Sequence, residues 1–442
     1  MANIAQKNCF GWEEIDELGD LERLVLVLEH IPDEKLMRHL EEDRGNGRDR
    51  YPIRPMWNSL IALVIYQHDG VDSLRRELSR NAQLRQVCGF NTATGAGAVP
   101  PSYVYSRFLR SLKRRMKEVE EIFEELVKQL CRELPEFGKK LAMDSKELHT
   151  YAQPHKEQAE RKKPDGRRED DADFGKKEYH GVREDGSPWE KIKKWFGYKL
   201  HLIVDATYEL PVTWKLTRAS RSDSPEAHEL VAHLKEHQEE ILTRCEDMMA
   251  DRGYDDGKLI EKLWDIHGIH PVIDIRNMWK DGEATRMLSR AENVVYDYCG
   301  TISCYCPVSG EVREMTYAGF EHDRMTLKYR CPASHYGFTC KGMHECPVKG
   351  SIRIPLAEDR RIFTPLARSS YKWKETYKKR TSVERVNSRI DGPFGFEHHF
   401  IRGMKKMQLR CGVALCIMLA MALGKIKTNR QDEMRCLVTN SA

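Results

Sequence analysis

The sequence predicts an α/β protein: a mixed sheet flanked by helices, preceded by an all-helical region and interrupted by a cysteine-rich insertion. Residues 10 to 135 carry apolar positions at helical spacing, as in LERLVLVLEHI, MWNSLIALVIYQ and VEEIFEELVKQLC, with no strand signal among them. From Lys139 onward the pattern becomes strand, strand, strand, helix, strand, helix, strand and a final helix, an order that suits a sheet covered by helices. Six cysteines crowd between Cys299 and Cys346.

The chain has 442 residues, more than one ordinary core at roughly 100 to 200 residues per domain, so two or three domains are expected. Hydrophobic residues make up 40% and charged residues 32%, a globular balance that excludes a disordered chain. The 73 Lys and Arg nearly cancel 69 Asp and Glu, so affinity for nucleic acid must come from local patches. One patch is RFLRSLKRRMK, residues 107 to 117, with six basic residues and no acid. Arg107, Arg110 and Arg114 in it are candidates for DNA phosphate contact, the alternative being a solvated helix face. The N-terminus lacks a secretory signal, and the apolar run Cys411 to Leu423 is short of the roughly 20 residues a bilayer needs. A cytosolic protein with no membrane partner is expected, with that run as a buried helix.

In the second region KKLAMDSKEL reads as a strand, the charged stretch 154 to 194 as a loop, and FGYKLHLIVDA with LPVTWKLT as a hairpin. Ser224-Pro225 reads as the start of a helix, with Ser as cap and Pro at the first helical position. DMMADRGYDD then runs from strand to turn, a helix covers 256 to 266, HPVIDI forms a strand and a helix spans about 374 to 390. Domain boundaries follow: a helical DNA-binding domain at 1–135, with a flexible joint at 95 to 101, a catalytic domain at 136–425 interrupted by an insertion at 276–362, and a tail at 426–442.

The segments LAMDSKEL, MMADRGYDD and YKKRTSVERVNSR resemble the three signature blocks of DDE insertion-sequence transposases. The third is the most specific, with Tyr377, Arg380 and Glu384 at the spacing of that family's tyrosine, arginine, glutamate signature. The resemblance implies a ribonuclease H-like catalytic fold after a helical DNA-binding domain. It also implies a bacterial transposase, associated with the nucleoid when bound, that binds terminal inverted repeats, cuts DNA and transfers strands. Asp144, Asp251 and Glu384 are then the catalytic carboxylates, holding two Mg2+ or Mn2+ ions for in-line attack on a phosphodiester. Tyr377 and Arg380 are implied to hold the DNA backbone, and a homodimer on double-stranded DNA follows from pairing two element ends. Where the family has a lysine seven residues after the glutamate, this chain has Asp391, for which Arg385 or Arg389 are candidate DNA-binding substitutes.

Other readings stay open. Thr381 to Glu384 matches a helix capping box. Asp205 and Asp274 end apolar strands as Asp251 does, and match no signature block. A nuclease without strand transfer and a DNA-binding regulator with a decayed catalytic domain share these blocks. In the insertion, Cys306, Cys331, Cys340 and Cys346 are the best four thiolates for a structural Zn2+, with Cys299 and Cys304 nearby and His335 and His344 as substitutes. An iron–sulfur cluster or unligated thiols are the alternatives.

Overall fold

The computed structural model describes residues 18–45, 50–154, 169–183, 185–348 and 350–438. The N-terminal helices are α1 (Glu22–His30), α2 (Glu34–Arg44), α3 (Ile53–Ile65), α4 (Val71–Arg80), α5 (Ala82–Cys88), α6 (Ser102–Leu112) and α7 (Met116–Glu133). Each presents an apolar stripe inward, as with Val119, Ile122, Phe123, Leu126, Val127 and Leu130 along α7. The stretch expected as a flexible joint coils into a 3-10 segment, Thr92–Ala98, that bends at Gly95.

The sheet contains β1 (Lys140–His149), β2 (Asp173–Val182), β3 (Pro188–Asp205) and β4 (Leu210–Arg218). After α8 (Asp223–His237) and α9 (Glu239–Arg244) come β5 (Asp247–Ala250), α10 (Gly257–Glu261) and β6 (His270–Ile273). Strands run in the order β2, β3, β1, β5, β6, with β4 also paired to β3. β1 is antiparallel to β3 but parallel to β5, which is parallel to β6. This is the mixed sheet flanked by helices that the sequence predicts, and its parallel half brings the ends of β5 and β6 beside the middle of β1.

Two local expectations change. The charged stretch is not all loop: β2 pairs with the first half of the 18-residue β3 as a two-stranded ribbon, while residues 155–168 lie outside the described chain. Charged side chains on both faces hide the ribbon's period from a hydrophobicity pattern. Its main-chain ladder is supported by Trp195, whose ring covers the place a Cβ on the opposite Gly175 would take. The helix after β4 begins at Asp223, and Ser224 donates its hydroxyl to Asp256 at 2.8 Å instead of capping.

The insertion is a β module: β7 (Arg286–Leu288), β8 (Ala291–Tyr296), β9 (Ile302–Tyr305) and β10 (Val312–Glu314) form one sheet. A second holds β11 (Thr316–Glu321), β12 (Thr326–Arg330) and, after the short α11 (Pro332–Tyr336), β13 (Ser351–Pro355). It has a core of its own, with Val294, Tyr296, Ile302, Leu327, Tyr329, Ile354 and Phe363 buried, so its folding does not depend on metal alone.

The chain closes with α12 (Tyr371–Lys378), α13 (Thr381–Asp391) and α14 (Met404–Lys427). The run Cys411 to Leu423 lies wholly inside α14 and is buried, as expected. By length and composition α14 could cross a bilayer, yet 89% of its apolar window is packed inside the protein. It packs against α7, α1, α3 and β4, so the N-terminal helices and the sheet share one continuous core. Close approach of α1 is possible because residue 424 is glycine: a Cβ there would sit 2.6 Å from Leu26 Cγ.

Candidate active site

The site lies where the parallel strands β5 and β6 end beside the middle of β1. Met143 pairs with Ala250 and Ala250 with Ile273, so the residues one step further on, Asp144, Asp251 and Asp274, line up across β1, β5 and β6. The parallel register does this because neighbouring strands lie about 4.8 Å apart. Asp251 begins the turn after β5 and accepts the Gly253 amide at 2.8 Å, while Asp144 accepts the Ser145 amide at 2.7 Å.

α12 packs on β5 and β6, and α13 on β1 and β3, which carries the third signature block over the same edge. Arg380 joins the parts: its guanidinium is 2.6 Å from Glu384 Oε1 and 3.9 Å from Asp144 Oδ2. It also lies over the Tyr377 ring, which stacks on Trp373 at 4.8 Å. The structure therefore brings Asp144, Asp251, Tyr377, Arg380 and Glu384 together from segments more than a hundred residues apart. The capping alternative for Glu384 is not what forms. Residues 379 and 380 are already helical, Thr381 lies inside the helical run, and its hydroxyl donates to the Lys378 carbonyl.

Burial, followed by the charge of Asp251, pushes the Asp144 carboxyl up to about 6. The Asp251 charge on the neighbouring strand raises the cost of ionising Asp144, and a cation would relieve it. These hard-oxygen donors, partly open to solvent, suit magnesium or manganese, with Asp144, Asp251 and Glu384 as the residues that would hold the ions; Glu384 is held by Arg380, and the three carboxylates are not gathered within 4.8 Å of one another.

The structure also places residues at the site that the sequence pattern does not single out. Lys177 on β2 and the buried Tyr254 both act electrostatically on or with Asp144. Asp274, which matches no signature block, stands in line beside Asp251, and its charge reaches Tyr377. Strand register is the missing signal. Asp205, the other strand-ending aspartate, is at the opposite end of β1 and serves structure: it accepts the amides of Gly138, Thr207 and Tyr208 at 2.8, 2.9 and 2.6 Å.

Arg385 and Arg389 turn elsewhere. Both bond Glu209 in the β3–β4 turn, at 2.6 and 3.2 Å, and burial pushes Arg389 down to about 10. Asp391 instead pairs with Lys146, two residues beyond Asp144 on β1. Here the acid is met by a strand lysine, not by a neighbour on its own helix.

In the insertion, Cys306 and Cys340 bring their sulfurs to 3.7 Å, and Asn293 donates to Cys346 Sγ at 3.3 Å. Hydrogen bonding at Ser309 pulls the Cys306 thiol down to about 6. Burial and then the neighbouring Cys331, Cys346 and Cys340 push Cys304 up to about 11, which puts Cys304 within the cluster. His335 and His344 are exposed, and Cys299 keeps company with Tyr298 and Asp297 instead.

The family model for the transposase DDE domain matches residues 135–420. No curated protein matches. Among solved structures, the chain aligns with piggyBac transposase in its synaptic complex with hairpin DNA, covering 97% of this chain and 87% of that one at 10% identity. The TM-score of that alignment is 0.28, too loose to support a conclusion. With the family match spanning well over half of the chain, it belongs to the transposase DDE domain family, enzymes of DNA transposition that cleave DNA and transfer its strands.

Proposed function

We propose that this transposase binds the terminal inverted repeats of its element and joins the freed 3'-hydroxyl ends to target DNA at the Asp144, Asp251 and Glu384 site. The observation that carries the reading is the placing of Asp144 within β1 and Asp251 at the end of the neighbouring β5, with Arg380 joining Glu384 to Asp144. Asp144, Asp251 and Glu384 would hold two divalent ions, which when bound would supply Lewis-acid stabilisation of the attacking and leaving oxygens. The chain's own part is to orient. Arg380, planar and always charged, is placed to exchange its carboxylate partners for a DNA phosphate, and Tyr377, braced by Trp373, fixes its plane. Pairing two element ends calls for two such centres, hence a homodimer assembled on DNA.

The DNA path is supported by a cationic surface that crosses from the helical region to α14. Arg107, Arg110 and Arg114 are exposed on α6 and the turn after it, and Lys405 and Lys406 at the start of α14. Burial, then Lys406, Arg110 and Lys405, lower the Lys113 ammonium from its usual range, so these cations meet one another. Among the described residues, Arg110, Lys113, Lys405 and Lys406 have no carboxylate partner. Beneath them is a cavity of about 430 Å3 bordered by Arg110, Lys113, His399 and Lys406. Phosphate would relieve this repulsion.

Replacing Arg110, Lys113, Lys405 and Lys406 by Gln in the full chain is expected to weaken binding to element-end and generic DNA alike. The slope of log K against log salt should flatten by about 0.9 for each phosphate the protein no longer neutralises. Fluorescence anisotropy across a salt series reads both. An unchanged slope would remove this surface from the DNA path.

The cysteine cluster is proposed as a structural zinc site drawing its ligands from Cys304, Cys306, Cys331, Cys340 and Cys346. Elemental analysis of the purified chain should find zinc that disappears when Cys306 and Cys340 become Ser. Zinc content unchanged by those substitutions would refute this ligand set.

A further inference from the structure

Both α7 and α8 pack on β4, where the helical region meets the sheet. Two imidazoles and a carboxylate converge there. His233 and His237, four residues apart on α8, share one face of that helix, and Glu124 reaches them from α7. One ligand atom from each lies within 4.8 Å of those of the other two, the one such His, Cys, Asp or Glu set among the described residues.

We propose that Glu124, His233 and His237 form a second metal site, for a borderline divalent transition ion of the zinc class, that clamps the helical region to the catalytic sheet.

The donor chemistry decides the class of ion. Two imidazole nitrogens with one carboxylate oxygen form a three-ligand set that leaves a coordination position open, as zinc sites of this composition do, whereas magnesium prefers oxygen throughout. The groups around it are set as supports. The Thr213 hydroxyl on β4 contacts His233 Nδ1 at 3.0 Å, leaving the other ring nitrogen available, and a hydrogen-bonded second nitrogen is what orients a ligating histidine. Gln238 donates its side-chain amide to the Glu124 carbonyl at 3.0 Å, fixing the α7 end. The side chains are part-buried: His237 is 33% and Glu124 15% exposed.

An ion pair alone explains less. Glu124 Oε1 meets His237 Nδ1 at 2.9 Å, which needs only one histidine. The second ring, His233, is stacked on the first at 4.3 Å between centroids, a position that repels if both are protonated and that a shared cation makes favourable. A cavity of about 370 Å3 opens beside Glu124 and His233, lined also by Glu120, Glu229 and Glu236. It gives an ion a route in.

Cobalt(II) titration of the full chain, stripped of metal by a chelator, separates this site from the cysteine cluster. Cobalt on thiolates gives intense charge-transfer absorption, and cobalt on imidazole and carboxylate does not. Wild type should bind one equivalent without thiolate absorption beyond what the Asp144, Asp251 and Glu384 carboxylates and the cysteines take. His233→Ala with His237→Ala should lose that equivalent and keep the thiolate bands. Glu124→Gln, which preserves size and a hydrogen-bonding group, should weaken the same equivalent by about tenfold or more. Zn2+ should also raise the melting temperature of the wild type through this site and leave the double histidine variant less affected. Wild type binding no cobalt outside the thiolate bands would overturn the proposal. So would equal stoichiometry in wild type and the histidine variant together with an unchanged affinity in Glu124→Gln.

Discussion

Asp144→Asn, Asp251→Asn and Glu384→Gln are each expected to lose DNA cleavage and strand transfer by about a thousandfold or more while the metal-free protein melts no lower than wild type. The rate loss follows because a bound metal contributes several kcal/mol of charge stabilisation, and each 1.4 kcal/mol or so is a factor of ten. The stability result follows from electrostatics. Burial and Asp251 hold the folded-state Asp144 carboxyl up at about 6, above the value of 3.8 for a free Asp. A carboxyl raised in the folded state ionises at a cost to stability that appears as pH rises from about 4 to about 6. An amide carries no such cost. By the same titration, protons compete with metal at Asp144, so the metal-ion concentration needed for half-maximal activity should rise as pH drops through about 6.

A helix-capping Glu384 would give the reverse pattern, a stability loss of about 1 kcal/mol with activity largely spared. Plasmid nicking and end-joining assays, run beside thermal melts in chelator, distinguish the two. Wild-type-like cleavage by any of the three variants would defeat the site. Asp274→Asn is not a neutral control, because its strand end stands in line with that of Asp251. Asp281, exposed and paired with Arg286 in the insertion, is the better one.

Asp205→Ala is expected to be the most destabilising single carboxylate change, by about 3 kcal/mol or more. Its fully buried side chain accepts three backbone amides, the buried one of Gly138 and the partly buried ones of Thr207 and Tyr208 in the turn, and all three lose their acceptor together. Each buried unsatisfied donor costs about 1 to 3 kcal/mol. Those amides fix the entry to β1 and the turn from β3 to β4, so the loss should appear as a lower denaturation midpoint for the whole sheet. Any activity lost at assay temperature should return at lower temperature, where the fold persists. A midpoint within about 0.5 kcal/mol of wild type would show that the three amides find other partners.

The sequence by itself determined the helical N-terminal region, the strands β1, β3, β4, β5 and β6, and the burial of Cys411 to Leu423. Those follow from the spacing of apolar residues along one segment, and spacing is local. It also singled out Asp144, Asp251, Tyr377, Arg380 and Glu384, through blocks whose order and internal spacing match a family. Only the tertiary structure decided what those residues meet. Asp274 joins the carboxylate edge through the parallel register of β5 and β6, which no local pattern encodes. Lys146 and Asp391, 245 residues apart, pair because α13 crosses the sheet over β1. The β2–β3 ribbon is hidden in the sequence because polar faces carry no burial period, and the insertion's core because its apolar residues are scattered over short strands. The shared core around α14 likewise depends on packing between distant segments, since an apolar helix states that it will be buried but not against what.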